Sequence, residues 1–168
     1  MVATAQINQF VDLEKLIGVE GFHYDPAVYR CAYLKDGNTR GKISVFSSGK
    51  MICVGAKSLE DAERNLEYAS RRLAELGLVG RTKIVVRLQN IVAIGEIGRP
   101  IDIERLAGLP NVLYEPEQFP GAICHPEELE GASILVFASG KVVFTGLKSH
   151  QLLDSARHVL EKLSKDGY

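Results

Sequence analysis

The chain of 168 residues contains two copies of one sequence pattern, and this repeat restricts its possible folds more than any other feature. Residues 45–58 read VFSSGKMICVGAKS and residues 136–149 read VFASGKVVFTGLKS, with eight of fourteen positions identical. Earlier in each copy, VDLEKLIGV at 11–19 matches IDIERLAGL at 101–109. Because the matches keep the same order, we predict two tandem copies, 1–83 and 84–168, that share one core and an approximate two-fold axis.

The same series of elements is predicted in both copies and indicates an α+β fold. A short strand (2–8 or 83–96) precedes a short helix that Asp12 or Asp102 would cap. Three strands follow, with a tight turn at each Ser-Gly pair, and a long helix closes the copy. In the first copy, Ser58 would cap a helix over 59–76. Its apolar residues recur at spacings of three and four: Leu59, Ala62, Leu66, Ala69, Leu73 and Leu76.

One face of the predicted antiparallel sheet lacks a helical cover. Two long helices cover only one face, so side chains should alternate between a covered and an open face. In 133–137, Ile134 and Val136 fall on one face, while Leu135 and Phe137 fall on the other. Both faces are therefore apolar, and an apolar open face is typical of an interaction surface. Coverage by a second subunit or a third layer is the alternative that the pattern leaves open.

Composition and motifs argue against several functional classes. Twenty basic and 21 acidic residues leave a net charge of −1, so a global basic excess cannot support nucleic-acid binding. Three cysteines without CxxC spacing, and four histidines without ligand spacing, predict neither a disulfide framework nor a metal site. The sequence contains no catalytic motif, signal peptide or apolar run of membrane length. We therefore expect a cytoplasmic protein without catalytic activity, cofactor, metal or membrane contact.

Four segments resemble the TATA-box-binding protein family, especially its archaeal form: the two matched 14-residue segments, YEPEQFPG at 114–121 and QNIV at 89–92. This resemblance implies a curved, saddle-shaped antiparallel sheet with helices on its convex face. It also implies a general transcription initiation factor that binds A/T-rich promoter DNA in the minor groove and bends it by aromatic wedging. Its partners would be double-stranded promoter DNA, transcription factor B and, indirectly, RNA polymerase, at the nucleoid of a prokaryotic cell.

The resemblance also implies roles for individual residues. The aromatic wedges would be Phe119 and Phe137 in the second copy, and Tyr29 and Phe46 in the first. The groove floor and the base edges would be contacted by Val2, Ile52, Asn90, Val92, Leu135, Val143 and Thr145. Phosphates would be contacted by Lys35, Lys50, Lys57, Lys141 and Lys148. Transcription factor B would bind the acidic turn that contains Glu115 and Glu117.

The first copy departs from the family pattern. The position that matches Asn90 falls before Met1, Val54 stands where the second copy has Thr145, and Tyr29 replaces a phenylalanine. In the second copy, His125 replaces a usual arginine and acidic residues follow it. These departures predict weaker or more permissive DNA binding, concentrated in the C-terminal half. They also leave open a diverged paralogue that acts as a protein-interaction module, and a homodimer that hides the open face when DNA is absent.

Each of these residues also has a structural interpretation. The aromatic residues could be ordinary core, and Asn90 could bond only to backbone groups. The lysines and the acidic turn could be solvated surface.

Overall fold

The structure, a computed structural model, describes residues 1–165. The chain divides into two compact units, Met1–Gln89 and a second unit that begins at Asn90. Each unit contains one five-stranded antiparallel sheet and one long helix, so the predicted α+β class is confirmed.

The first unit has its strands in the order β2-β3-β4-β5-β1. The strands are β1 (Val2–Gln6), β2 (Phe22–His23), β3 (Cys31–Leu34), β4 (Lys42–Phe46) and β5 (Lys50–Val54). A 3-10 turn at Leu13–Leu16 follows β1, and helix α1 (Leu59–Glu75) closes the unit.

The second unit repeats this arrangement in the order β6-β10-β9-β8-β7. Its strands are β6 (Arg87–Glu96), β7 (Val112–Leu113), β8 (Gly121–Cys124), β9 (Ser133–Phe137) and β10 (Lys141–Leu147). The short helix α2 (Ile103–Ala107) follows β6, a 3-10 turn at Glu127–Leu129 precedes β9, and α3 (His150–Lys165) closes the unit.

Local signals explain how the helices begin and end. The Ser58 hydroxyl accepts a hydrogen bond from the Asp61 amide at 3.1 Å, as predicted for an N-cap. Asp102 caps α2 in the same way through the Arg105 amide. Asp12 makes no such side-chain bond, and the element after it is one 3-10 turn where we predicted a helix. Leu76 lies beyond the end of α1 and is 39% exposed, so the apolar stripe ends at Leu73.

Two short strands were not predicted. Strands β2 and β7 have two residues each, and two residues cannot display the alternation that identifies a strand in sequence. The structure forms them by pairing with β3 and β8.

The glycine of each Ser-Gly turn is required by its backbone and by its surroundings. Gly140 has φ of +86°, and a Cβ there would overlap the backbone oxygen of Arg99. Gly49 has φ of +79°, and a Cβ there would overlap the backbone oxygen of Gln9. These two turns hold the β4–β5 and β9–β10 hairpins in register.

We expect Gly140→Ala to lower the free energy of unfolding by about 3 kcal/mol, because left-handed strain adds to a backbone overlap. The matched control is Gly98→Ala, since Gly98 has φ of +80° but open space around the added Cβ. Strain alone should cost the control about 1 kcal/mol. Urea denaturation measures both variants, and equal losses would show that the overlap with Arg99 is relieved without cost.

Candidate nucleic-acid interface

The sheet of the second unit has one face under its helix and one open face. Ile134 and Val136 of β9, with Val142 and Phe144 of β10, are buried on the helix side. The alternate residues, including Leu135 and Val143, are only half-buried. The structure thus confirms the predicted alternation, and it leaves a largely apolar face uncovered within this unit.

A row of aliphatic side chains crosses this open face. Leu135 lies opposite Val143, and Val143 lies opposite Ile94 of β6. On the other side, Leu135 lies opposite Ile123 of β8. Val92 and Ile94 are 49% and 67% exposed, which is high for residues of this type. Ile94 was not among the predicted floor residues, although its two-residue spacing from Val92 was the signal that could have found it.

Asn90 is fixed by a backbone group at an irregular point of the sheet. Its Oδ1 accepts a hydrogen bond from the Gly146 amide at 3.0 Å, where the pairing of β10 with β6 shifts between Phe144 and Leu147. Since a backbone amide can only donate, this bond orients the Asn90 side-chain NH2 group away from Gly146. Asn90 therefore bonds to backbone and keeps its donors available, close to Thr145.

Phe119 and Phe137 form an aromatic pair on the same unit. Their ring centroids are 5.6 Å apart at an interplanar angle of 64°. Gly121 lies directly opposite Phe137, and a Cβ at Gly121 would be 3.0 Å from the Phe119 ring. The missing side chain at Gly121 is what lets the two rings meet.

The acidic turn and the aromatic pair belong to one local structure. The Glu115 carbonyl accepts hydrogen bonds from the amides of Gln118 and Phe119, both at 2.9 Å. The side chains of Glu115 and Glu117 are exposed. A partner that bound this turn would therefore contact the segment that positions Phe119.

The open face of the first unit is more polar. Val2 lies opposite Val54, which is apolar and 47% exposed. Ile52, however, lies between Thr4 and Ser44. The predicted floor residues Val2 and Ile52 are thus on one face, but hydroxyl-bearing neighbours interrupt the apolar surface around them.

The aromatic residues of the first unit are arranged differently. Tyr29 contacts the Tyr33 ring edge-on, with centroids 5.2 Å apart. The Lys42 Nζ lies 3.3 Å from the centroid of the Tyr33 ring, which is a cation–π contact. Phe46 lies opposite Cys31, and within residues 1–165 it forms no ring pair with Tyr29. The two predicted first-unit wedges therefore do not form the ring pair seen in the second unit.

All five predicted phosphate-binding lysines are exposed, and none forms an ion pair within residues 1–165. Lys50 and Lys141 begin β5 and β10 at equivalent places. Lys141 lies opposite Glu96, whereas Lys50 lies opposite the neutral Gln6. Lys42 begins β4 and was not predicted, although its place two residues before Ser44 was the available signal.

The pKa values of two ionisable groups in the sheets are raised. A hydrogen bond with Cys31, then burial, raises the pKa of Tyr33, so its phenol stays protonated at neutral pH. Burial raises the pKa of the Cys124 thiol to about 11. All three cysteines are buried and unpaired. Within residues 1–165, no cluster of histidine, cysteine and carboxylate residues could hold a metal ion, and no helix is long and apolar enough to cross a membrane.

Comparison with known proteins identifies the family. The family model described as "Transcription factor TFIID (or TATA-binding protein, TBP)" matches residues 1–76 and again residues 85–165. The chain belongs to the TATA-binding protein family. The two separate matches agree with the repeat that the sequence displays, and together they cover nearly all of the described residues.

Archaeal relatives support this membership over the whole chain. The TATA-box-binding protein of Cenarchaeum symbiosum is 39% identical and is matched over 99% of this chain and 93% of the relative. That of Archaeoglobus fulgidus is 35% identical over 99% of this chain and 91% of the relative. The solved structure of Methanococcus jannaschii TBP has a TM-score of 0.83 at 29% identity, and the match covers 98% and 95% of the two chains.

Proposed function

We propose that this protein is a general transcription initiation factor that binds A/T-rich promoter DNA in the minor groove through its open sheet face and bends it. The observation that supports this most strongly is the Phe119–Phe137 pair beside an exposed aliphatic row. In this proposal the copies 1–83 and 84–168 act together as one DNA-binding unit. No cofactor, metal or catalytic step is needed, and the protein would act in the cytoplasm.

The chemistry of the open face suits the minor groove. An A·T pair presents only the acceptors A N3 and T O2 there, whereas G·C adds an amino group. Aliphatic side chains such as Leu135 and Val143 can lie against an A·T pair, but they would crowd the amino group of a G·C pair. The NH2 group of Asn90 can donate to the acceptors, because the Gly146 amide already holds its oxygen. The Thr145 hydroxyl would also contact the base edges. Val2, Ile52 and Val92 would lie against the groove floor with Leu135 and Val143.

Bending would follow from insertion of the paired phenylalanine rings at a base step. Unstacking one step costs a few kcal/mol. Burial of exposed apolar side chains and neutralisation of phosphates by Lys35, Lys50, Lys57, Lys141 and Lys148 would offset this cost. Easily deformed steps would be preferred even where no base is contacted.

Transcription factor B would bind at the acidic turn, through Glu115 and Glu117, and would connect the complex to RNA polymerase. The exposure of both carboxylates supports this assignment. Because the same turn positions Phe119, factor binding and DNA bending would stabilise each other.

A second candidate function is a protein-interaction module that no longer holds DNA firmly. The observation in its favour is charge: the second unit has seven basic and eleven acidic residues, for a net charge of −4. Without DNA, the open face would also be available to a second copy of the chain.

A gel-shift titration separates the two functions. We expect a TATA duplex to be retarded, a G·C duplex of equal length to bind at least tenfold more weakly, and added transcription factor B to strengthen the TATA complex. If the five lysines contact phosphates, log K should fall with log salt at a slope whose magnitude is at least about 4.5. No retardation of the TATA duplex at low salt, with or without the factor, would favour the interaction module.

Asn90→Asp should weaken binding to the TATA duplex by about 10- to 100-fold. An aspartate can still accept from the Gly146 amide, but it has no NH2 donor for the bases and adds negative charge beside the phosphates. Asn111→Asp, at an exposed loop position, is the matched control and makes the same charge change. Equal effects of the two variants in fluorescence anisotropy would reduce the role of Asn90 to net charge.

A further inference from the structure

The rims of the two open faces differ in ways that point to different tasks. The second rim consists of Phe119, Pro120, Gly121, Ile123 and Phe137. The first rim consists of Tyr29, Arg30, Cys31, Tyr33, Lys42 and Phe46. The two share one backbone plan, since Cys31 lies opposite Phe46 as Gly121 lies opposite Phe137.

Cys31 occupies the space that the second rim leaves empty. At Gly121, a Cβ would be 3.0 Å from the Phe119 ring, 3.0 Å from the Val136 oxygen and 3.2 Å from the Phe137 ring. Cys31 places a real side chain at the equivalent point and is only 8% exposed. Tyr29 and Phe46, on either side of it, form no ring pair like that of Phe119 and Phe137 within residues 1–165.

Tyr29, which precedes β3, packs on a side chain of that strand instead. Its ring meets Tyr33 at 5.2 Å and 80°, and Lys42 covers the Tyr33 ring. Insertion into a base step would break this contact and would move a phenolic hydroxyl into an apolar stack. Burying a hydroxyl without a partner is costly, and Phe119 and Phe137 avoid that cost.

The two rims also differ in charge. Arg30 takes the place of Pro120, and Lys42 lies on the same open face, so the first rim has two exposed cations. The first unit as a whole has thirteen basic and ten acidic residues, a net charge of +3. The second rim has no charged residue.

We infer that the first unit holds the DNA backbone with its cationic, tyrosine-lined rim and enters no base step, so that the second unit alone makes the kink. This inference rests on the proposed function and assigns Cys31 and Gly121 as the residues that decide which rim is a wedge. Tyr29 and Phe46 are then contact residues rather than wedges.

The bend is measured by energy transfer between dyes at the two ends of a TATA duplex saturated with protein. Tyr29→Ala with Phe46→Ala should lower affinity but keep the wild-type bend angle. Tyr29→Phe, Arg30→Pro and Cys31→Gly together copy 119–121 into the first rim and should add a second kink, which raises the bend up to about twofold. Gly121→Cys should reduce the wild-type bend, because it separates the phenylalanine rings.

Salt dependence tests the other half of the inference. Arg30→Gln with Lys42→Gln should lower the magnitude of the log K against log salt slope by about 2 while the bend angle stays unchanged. Glu14→Gln with Lys15→Gln, away from the rims, is the control and should leave the slope unchanged. An unchanged slope in the Arg30→Gln, Lys42→Gln variant would overturn the inference that these two residues contact DNA phosphates.

The outcomes distinguish failure of this inference from failure of the proposed function. A wild-type protein that neither retards nor bends the duplex would overturn both. A wild-type protein that bends the duplex, with the bend roughly halved by Tyr29→Ala and Phe46→Ala, would leave the function standing and overturn the one-sided kink. Circular dichroism melting of each variant verifies that it is folded.

Discussion

Replacing both Phe119 and Phe137 by alanine should abolish DNA bending. These rings form the only aromatic pair on the second rim, and no other residue there is large, flat and apolar enough to hold a base step open. We expect end-to-end energy transfer in a labelled TATA duplex to return to the value of free DNA. Affinity should fall less than bending, because the lost burial of about 2 kcal/mol per ring is partly offset by the unstacking cost that is no longer incurred.

Phe10→Ala is the control for this double variant. Phe10 is 74% exposed and lies in the loop after β1, so its loss removes an aromatic ring without changing either rim. A bend that persists when Phe119 and Phe137 are absent would remove the wedge assignment, and with it the main support for the proposed mechanism.

Leu66→Ala should cause the largest loss of stability, about 3 to 4 kcal/mol in the free energy of unfolding. Leu66 is fully buried on α1, in the core that the helix forms with the first sheet. Truncation removes apolar contacts and leaves a cavity that the surrounding strands can only partly close. Denaturation in urea, followed by circular dichroism, measures the change.

Leu76→Ala provides the matched comparison, because the same atoms are removed just past the end of the same helix. Leu76 is 39% exposed, so we expect a change within about 0.5 kcal/mol. Similar losses for the two leucines would mean that α1 does not pack as described.

A difference in task between the two units would affect which promoter sequences are recognised. If one rim kinks the duplex and the other holds phosphates, the most deformable step should be needed at one end of the site only. The acidic turn lies on the kinking unit, so transcription factor B would bind beside the kink. The division would give a protein with two similar units a direction on DNA.

Local pattern in the sequence was sufficient to predict most of the elements of each unit. The repeat predicted two similar halves, spacing by three and four predicted α1, and the Ser58 cap lies where its first turn requires it. Alternation in 133–137 predicted which residues face the helix and which stay open. These features depend on neighbours along one segment, and the periods of helices and strands express them directly.

Only the tertiary structure decided how the side chains of the interface combine. The Asn90–Gly146 bond joins residues 56 positions apart, and it exists because the pairing of β10 with β6 shifts there. Phe119 pairs with Phe137 of β9, whereas Tyr29 packs on Tyr33 of β3 and not on Phe46. Cross-strand register and packing set these contacts, and the order of residues along one segment does not encode them.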